Sequence, residues 1–161
     1  MISGSARDGN QYIPEALENG ASALLVESPR SRVSVPQCIV KDSRAAYGKL
    51  ASLFAGQPSR KLAVAAVTGT NGKTSTNWIL RSIVQAGFGR CGMLGTIEYH
   101  DGQTSEPATL TTPSADVLQS WFQRMVQNRC DHAVIEASSH ALEQSRLLGT
   151  SLSAAVITHV T

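Results

Sequence analysis

Apolar and polar positions alternate along this chain in blocks that switch between two periods. The run Leu62-Ala63-Val64-Ala65-Ala66 is apolar without interruption, as a strand buried on both faces requires. Two further runs read as strands, Asp131 to Glu136 and Ala154 to Thr158, and Arg90 to Ile97 is a fourth. Between them lie helical patterns. Thr76 to Val84 is expected to turn Trp78, Ile79, Ile83 and Val84 towards the sheet, and Ser114 to Asn128 to turn Val117, Leu118, Trp121, Phe122 and Met125. Ser114 is placed to cap the second helix, with Asp116 near its positive end. Ser138 to Leu148 reads as a turn and helix, His100 to Gln103 as a turn and Thr109 to Pro113 as a loop. Strands alternating with helices predict a doubly wound parallel sheet.

The first sixty residues are patterned more weakly. A turn at Asp8 to Pro14 enters a short helix that Gly20 ends. Ala21 to Val26 and Gln37 to Val40 are short strands, and Asp42-Ser43 cap a helix over Ala45 to Phe54 with Tyr47, Leu50, Leu53 and Phe54 on one face. Gly56-Gln57-Pro58-Ser59 is a breaker cluster. It divides the chain into residues 1–58, too little for a comfortable core of their own, and residues 59–161.

Composition narrows the class. Hydrophobic residues make up 42% and charged residues 16% of the 161, values of a folded protein. A net charge of +2 without a Lys/Arg run gives no reason to expect nucleic acid, and no apolar run approaches a membrane span. Met1 to Arg7 has no signal-peptide core. Cys38, Cys91 and Cys130 are far apart and suggest neither a disulfide framework nor a zinc site, which fits a reducing cytoplasm.

The chemistry gathers at Val67-Thr68-Gly69-Thr70-Asn71-Gly72-Lys73-Thr74-Ser75, between the first buried strand and its helix. Glycines let the backbone turn its N–H groups inward, the helix start adds partial positive charge, Lys73 adds a full one, and the Thr74 hydroxyl can ligate Mg²⁺. Val67 stands where the strict phosphate-loop pattern has glycine, so the flanking strand and helix carry the assignment. Glu136 ends a strand at the same sheet edge, where ligands of open α/β sheets bind, and offers a second hard oxygen for Mg²⁺. Ser138-Ser139-His140 lacks a nucleophile elbow, and His140 reads as supporting or structural.

These residues resemble the Mur ligases. Thr68 to Thr74 is similar to their Thr-Gly-Thr-Asn-Gly-Lys-[Thr/Ser] loop, which departs from the strict pattern in the same way. Glu136-Ala137-Ser138-Ser139-His140-Ala141-Leu142 through Arg146 resembles the Glu-Val-Ser-Ser-His-x-Leu-x-x-x-Arg stretch of the MurE type, the UDP-N-acetylmuramoyl-tripeptide synthetases. Asp8 to Pro14, Asp42-Ser43-Arg44 and Leu110-Thr111-Thr112-Pro113 match in order. The resemblance implies an ATP-dependent ligase that phosphorylates the terminal carboxylate of UDP-MurNAc-L-Ala-D-Glu and joins it to meso-diaminopimelate or L-lysine. It implies that Gly69, Thr70, Asn71, Gly72, Lys73, Thr74 and Ser75 hold ATP, with Lys73 and Glu136 catalytic and Thr74 and Glu136 serving Mg²⁺. Thr111, Thr112, Ser138, Gln144 and Arg146 would hold the sugar-peptide, with Ser5, Ala6 and Arg7 near the uridine. A cytoplasmic monomer is expected, with residues 1–58 in a partial UDP-sugar-binding domain and 59–161 in a partial ATP-binding domain. Family members extend before Met1 and beyond Thr161, so an internal segment is expected, unable to ligate alone. Folylpolyglutamate and cyanophycin synthetases share the Gly-Thr-Asn-Gly-Lys loop and are the alternative, as is a nucleotide-binding module without chemistry.

Overall fold

The computed structural model describes residues 9–161. The chain divides into two compact units, residues 1–47 and 48–161. In the first, a 3-10 turn Gly9–Tyr12 leads into helix α1, Ile13–Glu18. Gly20 follows it at φ +84°, a left-handed conformation that suits a residue without a Cβ. Strands β1 (Leu24–Val26) and β2 (Gln37–Ile39) pair in parallel. Ile13, Leu24 and Val26 form the small core, with Leu17, Ala21, Val33 and Val35 against it.

Helix α2 runs Ser43–Phe54. As expected, Asp42 caps it: Oδ1 accepts from the Ala45 amide at 2.9 Å. The expected apolar face is not its inner face, since Leu50, Leu53 and Phe54 are exposed. Small residues line its covered side instead. A Cβ at Gly48 would come within 2.6 Å of the Leu148 carbonyl oxygen, and Ser52 Oγ donates to the Gly149 carbonyl at 2.8 Å. Backbone approaching backbone leaves no room for leucine there.

The second unit holds a six-stranded sheet in the order β6-β5-β4-β7-β3-β8. These are β3 (Ala63–Thr68), β4 (Cys91–Leu94), β5 (Glu98–His100), β6 (Ser105–Pro107), β7 (His132–Glu136) and β8 (Ala154–Ile157). β4, β7, β3 and β8 are parallel, as the alternating pattern requires. β5 and β6 add an antiparallel hairpin that the apolar pattern does not announce, because Arg90 to Ile97 reads as one strand. Gly95-Thr96-Ile97 in fact leaves the sheet and turns back.

Helices cover both faces. Helix α4 (Ala115–Gln127) buries Leu118, Trp121, Phe122 and Met125 with Leu62, Val64, Ala66 and Ile135. Helix α3 (Lys73–Phe88) covers the other face, where Val67, Cys91 and Val134 meet Leu80 and Val84. The β3 side chains thus alternate between two cores, which is why the strand is apolar throughout. Ile79 and Ile83 do not face the sheet as expected: they are 59% and 60% exposed, and Asn77, Leu80 and Val84 face inward. The helix begins at Lys73, and the line towards the sheet runs through Asn77, Leu80 and Val84 at helical spacing. Val117 is likewise exposed on α4. Helix α5 is short, Ser139–Glu143, and turns follow it. No helix among the described residues is long and apolar enough to cross a membrane.

Candidate functional site

The loop after β3 is shaped by its glycines. Gly69 and Gly72 have φ of +140° and +84°, and a Cβ at Gly69 would collide with Thr158 Oγ1. The loop is fastened to the chain after β8. The Thr70 amide donates to the His159 carbonyl, and Thr158 Oγ1 contacts the Thr68 and Asn71 carbonyls at 3.1 and 2.6 Å. Lys73 Nζ turns back onto the loop, donating to the Gly69 and Thr70 carbonyls at 2.7 and 3.3 Å. An ammonium has three protons and no acceptor, so it satisfies itself on the carbonyls of its own loop.

Thr74, one residue on, points across the sheet edge. Its hydroxyl donates to Glu136 Oε2 at 3.1 Å. Parallel pairing sets Val67 beside Glu136, so the loop and the carboxylate leave neighbouring strand ends. Glu136 is 1% exposed, and no ion pair reaches it among the described residues. Its remaining donors are the Thr96 amide, at 3.0 Å to Oε1, and the Thr96 hydroxyl, at 2.9 Å to Oε2. A buried carboxylate held only by neutral groups is a fitting ligand for a divalent cation. Thr70 to Ser75, Thr96, Thr111 and Glu136 surround a cavity of about 280 Å³. A second cavity of about 400 Å³ is bounded by Gly69, Lys73, Ser138, Ser139, Ile157 and Val160 among others.

A second chain of contacts starts from the Glu136 backbone. Thr112 Oγ1 donates to the Glu136 carbonyl at 2.7 Å and accepts from the Ser138 amide at 3.0 Å. Ser138 caps α5 by accepting from the Ala141 amide at 3.2 Å. Arg146 donates to the Thr112 carbonyl at 2.7 Å and, through Nε and Nη2, to Gln144 Oε1 at 3.0 and 2.7 Å. Gln144 Nε2 in turn lies 2.7 Å from His140 Nε2. Thr111, Thr112, Ser138, Gln144 and Arg146 are therefore neighbours beside the loop. Ser5, Ala6 and Arg7 lie outside the described residues. Thr96 and Gly95 join the site without having been expected there. Their signal in the sequence is position, a small and a hydroxyl residue just past the carboxyl end of β4. Among the described residues no cluster of three or more His, Cys, Asp or Glu side chains could hold a metal.

A parallel-cored sheet with a glycine loop between strand and helix, Lys-Thr opening the helix and an acid on the next strand end, defines an α/β protein of the phosphate-loop class. The family model described as "Mur ligase middle domain" matches residues 67–161. The chain therefore belongs to the Mur ligase family. It is 41% identical over 160 residues to the UDP-N-acetylmuramoyl-L-alanyl-D-glutamate--2,6-diaminopimelate ligase of Geobacillus thermodenitrificans (strain NG80-2), covering 99% of this chain and 32% of that protein. It is 39% identical to the UDP-N-acetylmuramyl-tripeptide synthetase of Roseiflexus sp. (strain RS-1), over 96% of this chain and 31% of that one. The chain thus spans about a third of the length of these relatives. Among solved structures, a UDP-N-acetylmuramoyl-L-alanyl-D-glutamate--2,6-diaminopimelate ligase superposes with a TM-score of 0.77 at 29% identity, over 94% of this chain and 31% of that one. A MurF ligase from Thermotoga maritima in complex with ADP superposes with a TM-score of 0.52 at 25% identity, over 86% and 28%.

Proposed function

We propose that this chain forms part of an ATP-dependent ligase of peptidoglycan precursor synthesis, one that adds meso-diaminopimelate or L-lysine to UDP-MurNAc-L-Ala-D-Glu through an acyl phosphate. The observation that carries this is the shared edge. Lys73 and Thr74 stand at the helix start, Glu136 faces them, and the Thr112–Ser138–Gln144–Arg146 contacts begin on the Glu136 backbone. A carboxylate is a poor electrophile until it carries a phosphate leaving group, so phosphoryl and carboxylate must meet. The names of the two relatives support the substrate assignment.

In this reading Gly69 to Ser75 hold the ATP phosphates through inward amides. Lys73 leaves the Gly69 and Thr70 carbonyls and takes the transferred group, stabilising charge that spreads over its oxygens. Thr74 and Glu136 hold Mg²⁺, which when bound neutralises phosphate charge. Thr111, Thr112, Ser138, Gln144 and Arg146 orient the sugar-peptide, and the Arg146 fork suits an anionic group. The first unit, residues 1–47 with Ser5, Ala6 and Arg7, belongs to the UDP-sugar side, and the second unit, residues 48–161, to the ATP side. The protein works as a cytoplasmic monomer, without nucleic acid or membrane. The test is to give the full-length ligase ATP, Mg²⁺, UDP-MurNAc-L-Ala-D-Glu and either diamino acid. Tripeptide nucleotide, ADP and phosphate are expected. Turnover of a folate or of a cyanophycin primer instead would move the chain to another ligase of the superfamily.

A further inference from the structure

We propose that Thr96 is a positioning residue of this site: it fixes the Glu136 carboxylate towards Thr74 and ties it to Thr111, so that the metal side and the sugar-peptide side form one linked unit. The identity of those two ligands rests on the ligase reading above. Of the three donors among the described residues that reach the carboxylate, Thr96 supplies two, the amide at 3.0 Å and the hydroxyl at 2.9 Å, with Thr74 Oγ1 the third at 3.1 Å. The amide takes Oε1 and the hydroxyl takes Oε2, so the terminal torsion of Glu136, otherwise broad, is locked. Gly95 makes the approach possible, because a Cβ there would strike Glu136 Oε1 and sit 3.0 Å from Asn77 Nδ2.

The same hydroxyl lies 3.1 Å from Thr111 Oγ1. The one Thr96 hydroxyl is thus within hydrogen-bonding distance of both Glu136 Oε2 and Thr111 Oγ1, and it bridges the two. Thr111 is followed by Thr112, whose hydroxyl is held by the Glu136 carbonyl. Side chain and main chain of one acid thus anchor two successive threonines, the first through Thr96. Without the Thr96 hydroxyl, the carboxylate keeps one bond to each oxygen but loses its tie to Thr111.

The test uses Thr96→Val, which keeps shape and amide but removes the hydroxyl, and Thr96→Ser, which keeps the hydroxyl. In the full-length ligase, the Mg²⁺ concentration for half-maximal rate and the KM for UDP-MurNAc-L-Ala-D-Glu are measured with the melting temperature. In Thr96→Val both constants should rise on the order of 10-fold, the weight of one hydrogen bond to a charged group, while melting changes little and Thr96→Ser stays near wild type. Mn²⁺-dependent ADP binding by calorimetry, which needs no turnover, should show the same loss in Val and recovery in Ser. Unchanged Mn²⁺ dependence in Thr96→Val overturns the proposal and leaves the ligase reading standing. Wild-type protein that binds Mn²⁺ with ADP in this Thr96-dependent way but makes no tripeptide nucleotide overturns the ligase reading and keeps the Thr96 role.

Discussion

Lys73 and Arg146 both use their protons on backbone carbonyls, and both are expected to trade those bonds for ligand oxygens. Their substitutions should separate the two halves of the site. Lys73→Ala in the full-length ligase is expected to lower acyl phosphate formation by about three orders of magnitude, the scale set by removing a preorganised charge from a developing anion. Circular dichroism should show the fold intact, since Lys73 is only half-buried and its loop is also held by Thr158. Near-wild-type turnover would rule out its place on the transferred phosphoryl. Arg146→Ala should weaken the sugar-peptide far more than ATP, because its contacts run to Thr112 and Gln144. Separate dissociation constants decide it, and equal losses for both ligands would make Arg146 structural. The residue types of the loop are legible in the sequence, because glycine, lysine and threonine at that spacing have few other uses. Thr96 is not, because its importance lies in what it reaches.

The β5–β6 hairpin is held to Arg124 of α4 by two acids, Glu106 at 2.6 Å and the more deeply buried Asp101. Asp101 accepts from the Gln103 and Thr104 amides at 3.0 and 2.8 Å and pairs with Arg124 at 2.8 Å, and that guanidinium lies 3.8 Å from the Trp121 ring centroid. Burial opposes the Asp101 charge, but the Thr104 and Gln103 amides and Arg124 outweigh it and hold the carboxyl well below the ordinary range. A depressed carboxyl contributes stability that is complete above the unfolded value of about 3.9 and is lost as pH falls towards the folded one. Melting of the wild type should therefore decline below about pH 4 more steeply than that of Asp101→Asn. The variant itself should be less stable by about 1–3 kcal/mol at pH 7, with Arg124 partly in solvent and so partly screened. Parallel acid profiles would show that the hairpin does not depend on this charge. Local pattern does not reveal the hairpin because its strands are three residues each, too short for a period to register.

At the scale of the whole molecule, residues 1–161 alone are expected to yield no tripeptide nucleotide when given every substrate. They hold a phosphate loop and Glu136, but positioning an amine for in-line attack is worth about 7–11 kcal/mol, and water competes at an open site. A direct assay with ATP, Mg²⁺, the sugar-dipeptide and either diamino acid checks this, and clear turnover would refute it. The sequence by itself determined the class of the sheet, since only a strand covered on both faces stays apolar throughout, as Leu62 to Val67 does. It determined the loop's shape, because the glycines, Lys73 and Thr74 that form it are consecutive or nearly so. Tertiary structure decided what depends on distance across the chain. Gly48 and Ser52, not Leu50 and Leu53, line the covered side of α2, because backbone arrives there from residues 148–149. Asn77 rather than Ile79 faces inward on α3. Thr96 reaches Glu136 only because β4 and β7 lie side by side, a pairing between segments some forty residues apart that no local period records.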